Sequence, residues 1–387
     1  MENAYVVAIV RTPVGRSKNG VISHLRPDDM AAVAIKAAAD RSGIPYERFQ
    51  DCVIGCAFPE AESGMNVGRI ALLASGLPDT IPGVTINRYC SSGLETMVTV
   101  GAKIEAGLLD VAIAGGTESM SLIPMGGNKP LPNPKLTKEN PRAYTTMGQC
   151  ADNVARDFNI TREECDRWAY RSHMRAIAAI KEGRFKDEIV PLEVEKPDGT
   201  KFLFDTDEGP RPETTLEALA KLKPAFAASP ALGVATAGNS SQTSCGAAAA
   251  VLAGEAVIKE LGLKPLARLR GYAVGAGDPG YLGPAQVPAI HEACRQAGIS
   301  IQDIGLVECN EAFASQTIYV VRELGLDEEI VNVNGGAIAL GHPLGCTGTK
   351  LAATLIYEMR RRGVKWGLET MCIGGGMGAA GVFELCE

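Results

Sequence analysis

Three loops hold cysteine or histidine where an apolar run breaks into small residues: Asn87-Arg88-Tyr89-Cys90-Ser91-Ser92-Gly93, Gly341-His342-Pro343-Leu344-Gly345 and Met371-Cys372-Ile373-Gly374-Gly375-Gly376. Such loops expose side chains and let backbone N–H groups approach a bound molecule. Two thiols, an imidazole and glycine amides suit acyl transfer through a thioester better than redox or metal chemistry. Cys90 follows a strand-like run ending at Asn87 and precedes a helical run from Gly93. A thiol at a helix N-terminus is expected to have its thiolate favoured by the dipole and the unpaired N–H groups, one recipe for a nucleophile. The competing reading is a small buried core cysteine, which most of the 11 cysteines must be. His342 could act as base toward a thiol or as donor to a developing oxyanion, or could be satisfied within its turn. Cys372 precedes Gly374, Gly375 and Gly376. Their unshielded N–H groups could bind an oxyanion, or a tight strand crossing could need the glycines. Asn310, after a buried run, could orient a water or a histidine, or close the turn.

The elements that must hold these loops alternate. Strand-like runs at 51–56, 110–114, 304–309 and 370–373 are interleaved with helical runs at 28–42, 93–107, 287–297 and 348–362. Alternation of this kind predicts α/β architecture with buried strands. The two ends of the chain resemble each other: Gly43 and Gly298, Ile44 and Ile299, and Phe58 and Phe313 keep one offset of 255. Val111–Gly116 echoes Thr370–Gly375 at an offset of 259. A duplicated α/β half with an insertion between the copies follows. The insertion opens with Pro124, Pro130, Pro132, Pro134 and Pro141, which is loop chemistry. A helical stretch is expected over 151–183, with Thr161 and Glu164 as an N-terminal cap, then a polar stretch over 195–214. A helical run over 246–261 is expected to return the chain to the core.

At 387 residues two or three packed units are expected, and a hydrophobic fraction of 46% fits a large core. A formal charge of −7 argues against a nucleic-acid binder, while leaving room for a local basic patch. No run is apolar and long enough to span a membrane, and no leader pattern opens the sequence, so the expected compartment is the cytoplasm. The cysteines lack disulfide-framework spacing, which reads as free thiols in a reducing compartment. With four histidines and none at ligand spacing to cysteine, no metal site is expected. Gly275, Gly277 and Gly280 match a dinucleotide fingerprint formally, but Tyr281-Leu282-Gly283-Pro284 follows where a helix should open.

Four of these segments together, Asn87–Gly93, Asn310–Ala314, Asn334–Gly345 and Cys372–Gly376, resemble the signature loops of thiolases, and the resemblance runs from Arg11 to the C-terminus. It implies an α/β thiolase fold: two duplicated βαβαβαββ halves in five layers plus an inserted loop domain. The divisions would be 1–119 with 243–266 for the N-terminal half, 120–242 for the loop domain that holds coenzyme A, and 267–387 for the C-terminal half. It implies that Cys90 carries the acyl group, that His342 activates it and then helps hold the oxyanion of the incoming or departing thioester with a water placed by Asn310, and that Cys372 moves the α-carbon proton. The N–H groups of Cys90 and Gly374 would form the oxyanion hole. For coenzyme A it points to Arg211 near the nucleotide end, Ser241 near the pantetheine and Met147 in the same tunnel. CoA and acyl-CoA would be substrates, with no permanently bound cofactor.

There are departures from the family pattern. Cys245 stands where members usually have aspartate and is expected to alter a hydrogen bond near a helix start. Tyr281–Pro288, beside the acyl pocket, is atypical, as are Thr146 and Gln149–Asp152. The resemblance implies thiolysis of 3-ketoacyl-CoA in fatty-acid breakdown. Alternatives are condensation of two acetyl-CoA, a non-catalytic acyl-CoA-binding protein of the same fold, and, most remotely, a nicotinamide-dependent dehydrogenase. A homodimer or homotetramer, with or without a hydratase–dehydrogenase partner subunit, is also implied.

Overall fold

The computed structural model describes residues 3–195, 198–227 and 233–386; Lys196 and Pro197 of the expected polar stretch lie outside them. The strands are β1 (Ala4–Arg11), β2 (Gly15–Arg16), β3 (Cys52–Gly55), β4 (Gly83–Ile86), β5 (Val111–Ser119), β6 (Leu192–Glu195), β7 (Lys201–Phe204), β8 (Ser244–Gly254), β9 (Ala267–Ala276), β10 (Leu306–Cys309), β11 (Trp366–Ile373) and β12 (Met377–Leu385). One sheet runs β10-β11-β12-β9-β1-β8-β5-β3-β4, with β2 on β8; β6 and β7 form a separate hairpin. The duplication is visible in this order. From the β1–β9 seam, joined through Val6 and Ala267, the sequence β1-β8-β5-β3-β4 is mirrored by β9-β12-β11-β10. The parallel Val307–Val331 bridge stands where β4 would stand in the second copy.

The helices are α1 (Pro27–Ser42), α2 (Val67–Ala74), α3 (Ser92–Glu105), α4 (Pro134–Glu139), α5 (Met147–Asp157), α6 (Arg162–Lys181), α7 (Leu216–Ala220), α8 (Glu255–Leu261), α9 (Gln286–Ala297), α10 (Ala314–Leu324), α11 (Ala337–Leu340) and α12 (Thr347–Arg362). Three cores hold five layers, the middle core filling both sides of the central helices. Met30 and Ile35 of α1, Leu72 of α2 and Val257 of α8 pack with Ile54 and Val251 on one outer face. Leu94 and Met97 of α3 and Leu355 and Met359 of α12 fill the middle. Ile290 of α9 and Ile318 of α10 pack with Val307, Leu368 and Val382 on the other outer face.

The middle layer closes because the second residue of both α3 and α12 is glycine. A Cβ on Gly93 would lie 2.7 Å from the Thr349 nitrogen, and one on Gly348 would lie 2.1 Å from the Leu94 nitrogen. The two positions keep the same offset as the repeat, so each copy supplies one side of the contact.

Two expectations fail. Residues 244–254 form a strand, and the helix begins only at Glu255. The run Ala247–Ala250 has strong helix propensity, but β8 lies between β1 and β5 with all its residues buried. Two-sided packing between sheet neighbours overrides local preference, and small side chains suit that position. The stretch 151–183 is two helices, because Asn159 takes a left-handed φ of 54°. Thr161 then restarts the chain: Glu164 N donates to Thr161 Oγ1 at 3.3 Å and Thr161 N to Glu164 Oε2 at 2.8 Å.

Candidate active site

The Cys90 turn follows β4, the Asn310 loop follows β10 and Cys372 lies near the end of β11, each strand paired in parallel with a neighbour, while His342 lies between α11 and α12. The turn after β4 is held by its own side chains. Tyr89 N donates to Asn87 Oδ1 (2.8 Å), Arg88 N to Ser92 Oγ (2.9 Å), and Ser92 Oγ to Tyr89 O (2.7 Å). Asn87 Nδ2 anchors the turn to Ala57 O at 2.9 Å. Tyr89 takes a φ of 45°, a costly conformation for a bulky residue, and the following residue is Cys90 at the head of α3.

Cys90 packs against the cluster of Ala57, Met120 and Leu344, as does Phe58. Burial, with Glu118 adding its negative charge, pushes the Cys90 thiol up to about 12. This reverses the expectation that the helix start alone would favour thiolate: loss of water outweighs the dipole. A base must therefore take the proton. Glu118 itself is buried and bridges the two copies, accepting from Ala57 N and Gly345 N at 2.8 Å each.

His342 is the imidazole that the sequence singles out. It follows Gly341, whose φ of 86° and close approach to Ser244 Oγ (2.5 Å from a built Cβ) admit only glycine. Burial, aided by Lys350, pushes the imidazole down to about 3, so it is neutral at physiological pH and one ring nitrogen keeps its lone pair. His342 Nε2 faces Asn310 Nδ2 at 3.3 Å, and His342 Nδ1 faces Thr347 Oγ1 at 2.6 Å. Asn310 Oδ1 is buried without a hydrogen-bond partner.

Cys372, on β11 opposite Gly378 of β12, lies in an apolar cluster with Met147, Cys150, Leu282, Ala312 and Phe313. Burial and the neighbouring Cys90, Cys309 and Cys150 raise its thiol well above the ordinary cysteine range. The β11–β12 turn bends through Gly375 and Gly376, at φ 77° and 75°. A Cβ on Gly374 would lie 3.6 Å from the Tyr89 ring and 3.8 Å from Met147 Sδ, so the Gly374 turn faces both the Cys90 turn and the start of α5.

Of the residues singled out for coenzyme A, Met147 thus adjoins Gly374. Ser241 is brought beside the Asn310 loop, its N–H donating to Ala312 O at 3.0 Å. Arg211 is exposed and has no ion-pair partner among the described residues; its backbone N–H donates to His173 Nδ1 at 3.2 Å. Burial, with Arg211 nearby, pushes His173 down to about 4, leaving it a neutral acceptor for that N–H.

Sequence reasoning missed Glu311. Its Oε1 accepts from Trp168 Nε1 and Asn332 Nδ2, both at 2.9 Å, and its Oε2 from Ser172 Oγ (2.6 Å) and Ile338 N (3.2 Å). One carboxylate ties α6 of the insertion to the loop holding Asn332 and to α11. A Cβ on Gly336 would fall 2.2 Å from Glu311 Cδ, and that glycine was the available signal. Cys245 also needs correction: it lies at the start of strand β8, not near a helix start, with Ser121 Oγ 3.1 Å from its thiol. At the atypical loop, Leu282 enters the Cys372 cluster, while Tyr281 OH donates to Asp157 Oδ2 at 2.7 Å. The glycine pattern at 275–280 leaves β9 into a loop, and the next helix starts only at Gln286.

The chain is similar to known proteins over nearly its whole length. The family model described as Thiolase, N-terminal domain matches residues 4–256, and that described as Thiolase, C-terminal domain matches 263–385. A 3-ketoacyl-CoA thiolase of Bacillus subtilis (strain 168) is 52% identical over 394 aligned positions, covering 100% of both chains. One from Pseudoalteromonas translucida (strain TAC 125) is 44% identical and covers 99% of each. The structure of human mitochondrial 3-ketoacyl-CoA thiolase superimposes with a TM-score of 0.91 at 39% identity, covering 99% of each chain. The Bacillus anthracis acetyl-CoA acetyltransferase does so with a TM-score of 0.91 at 38% identity, covering 100% of this chain and 99% of that one.

Proposed function

The chain belongs to the thiolase family, and on that footing we propose that Cys90, His342, Asn310, Cys372 and Gly374 carry its acyl transfer. The activity is that of an acyl-CoA C-acyltransferase: 3-ketoacyl-CoA and CoA give acetyl-CoA and an acyl-CoA shortened by the acetyl unit. The observation that carries the residue assignment is convergence: Leu344, two residues from His342, packs on Cys90, and Cys372 lies close enough for Cys90 to raise its thiol.

The steps follow from the protonation states. Neutral His342 takes the Cys90 proton, and the thiolate sulfur bonds to the 3-keto carbon. The carbonyl electron pair moves to oxygen, where the N–H groups of Cys90 and Gly374 receive it. As the carbonyl re-forms, the C2–C3 bond breaks and its electron pair becomes the acetyl-CoA enolate. Cys372, kept as a thiol by burial, donates its proton to C2 and completes acetyl-CoA. His342 and Asn310 hold the enolate oxygen during this transfer. The CoA thiol then gives its proton to the Cys372 thiolate as its sulfur attacks the Cys90 thioester, and the departing Cys90 thiolate takes back the proton held by His342. Thioester exchange conserves the bond type, which suits a cysteine carrier.

CoA and acyl-CoA act as substrates. Arg211 is assigned to the phosphates, since an exposed, unpaired guanidinium suits bidentate phosphate contact. Ser241 and Met147 are assigned to the pantetheine tunnel. Residues 1–119 with 243–266, 120–242 and 267–387 are assigned as the N-terminal half, loop domain and C-terminal half. We further assign a cytoplasmic homodimer or homotetramer, open to a hydratase–dehydrogenase partner subunit. Among the described residues no helix is long and apolar enough to cross a membrane.

The fold shared with an acetyl-CoA acetyltransferase keeps the condensing direction as a second reading. CoA-dependent thiolysis of acetoacetyl-CoA beside a long-chain 3-ketoacyl-CoA, with Cys90→Ala as control, tests both. Preference for the longer substrate supports the degradative role; preference for acetoacetyl-CoA supports the condensing one. Loss of neither activity in Cys90→Ala would overturn the nucleophile assignment.

A further inference from the structure

We propose that Thr347 is a positioning residue that fixes which ring nitrogen of His342 carries the proton. The inference rests on the thiolase reading, because it concerns the base of that reaction. Thr347 Oγ1 lies 2.8 Å from Pro343 O as a donor and 2.6 Å from His342 Nδ1. A hydroxyl has one proton, and a carbonyl oxygen can only accept it. With that proton on Pro343 O, the hydroxyl can only accept from Nδ1, so Nδ1 is the N–H and Nε2 keeps its lone pair. The other end of the ring agrees. Nε2 faces the Asn310 amide nitrogen at 3.3 Å, a donor, which would oppose an Nε2–H.

The turn between the two residues makes this geometry. The 3₁₀ turn Leu344–Cys346 folds the chain back so that Thr347, the first residue of α12, meets the ring of His342. The ring is also anchored through its backbone: His342 N donates to Ser244 Oγ at 3.2 Å. Thr347 and His342 are 1% and 3% exposed, so water does not compete for the contact. The charged group that bears on the ring is Lys350, on α12 with Thr347. Without the hydroxyl, Nδ1–H would be buried unpartnered, and the tautomer with the proton on Nε2 would block uptake of the Cys90 proton.

The test compares Thr347→Val, which keeps the shape and removes the hydroxyl, with Thr347→Ser, which keeps the hydroxyl. In thiolysis assays Thr347→Val is expected to lose kcat by about 100-fold, the scale of general-base catalysis, with KM for CoA within about twofold. Thr347→Ser is expected to stay within about threefold of wild type. Ring-nitrogen NMR on isotope-labelled histidine, with only 4 histidines to assign and His342→Asn as the assignment control, reads the tautomer directly. Wild type and Thr347→Ser should show a protonated Nδ1 and a bare Nε2, and Thr347→Val should lose that signature. Full kcat in Thr347→Val, equal loss in Thr347→Ser, or a bare Nδ1 in wild type would each overturn the proposal. Absence of thiolysis in the wild type would instead defeat the thiolase reading, and the ring-nitrogen signature would still decide the role of Thr347.

Discussion

Glu311 offers the sharpest check on how the inserted segment supports the catalytic loops. Alanine there would remove the acceptor for four donors. Two can find other partners: Ser172 Oγ lies 3.4 Å from Gly336 O, and Asn332 Nδ2 already donates to Cys309 O at 2.8 Å. The Trp168 indole N–H and the Ile338 N–H have no alternative in the structure. A buried, unsatisfied donor costs about 1–3 kcal/mol, so Glu311→Ala should destabilise by about 2–6 kcal/mol. Glutamine keeps one accepting oxygen but turns an NH₂ toward the other pair of donors, so Glu311→Gln should lose about 1–3 kcal/mol. Against a total of about 5–15 kcal/mol, the alanine change is large and the glutamine change is measurable. Urea unfolding, followed by far-ultraviolet circular dichroism and by tryptophan emission, measures both through the midpoint at constant slope. Because Asn310 precedes Glu311 and α11 leads into His342, kcat should fall more than tenfold in Glu311→Ala at temperatures where the variant is folded. A Glu311→Ala protein within about 1 kcal/mol of wild type and with full kcat would refute the claim that this carboxylate joins the layers.

Three further outcomes are expected. Because the Cys90 thiol is pushed up to about 12, its thiolate fraction should be small at pH 7 and rise throughout the alkaline range. The rate of iodoacetamide labelling at Cys90, read by mass spectrometry from about pH 6 to 10, should climb without a plateau, whereas an ordinary thiol levels off above about 8.5; a plateau near 7 would contradict it. Glu369 is buried with neither carboxylate oxygen hydrogen-bonded, and its register neighbour on β10 is Glu308. Burial and Glu308 raise its carboxyl well above the usual range, so the folded state holds a proton that the unfolded chain releases above about 4.3. Stability on this account falls as pH rises, and the urea midpoint of Glu369→Gln should exceed that of wild type more at pH 9 than at pH 5; an equal difference at both would count against it. Arg211→Ala should raise KM for CoA about tenfold or more with kcat nearly unchanged, and equal KM values for CoA and for pantetheine analogues lacking phosphate in the variant would complete the case.

Much of this was legible in the residues. Motif spacing singled out the Cys90, His342, Asn310 and Cys372 loops, because turns rich in glycine and small residues are short and local. The repeat offset foretold two copies of one α/β unit, and the paired strand orders on either side of the β1–β9 seam are its result. Thr161 and Glu164 marked a helix start because capping is a contact between near neighbours.

What the sequence could not decide were quantities summed over distant residues. Residues 247–250 have a local preference for helix, yet their strand state depends on β1 and β5, whose residues are far away in the chain. Cys90 stands at a helix start as expected, but the state of its thiol is set by burial and by Glu118, which only the packed layers bring near. Glu311 looked like one acid in a motif; its four partners come from α6, the loop holding Asn332, and α11. Periodicity, caps and turns act over a few residues and can be read along the chain. Desolvation, charge coupling and buried hydrogen-bond satisfaction act through space, and only the tertiary structure supplies their distances.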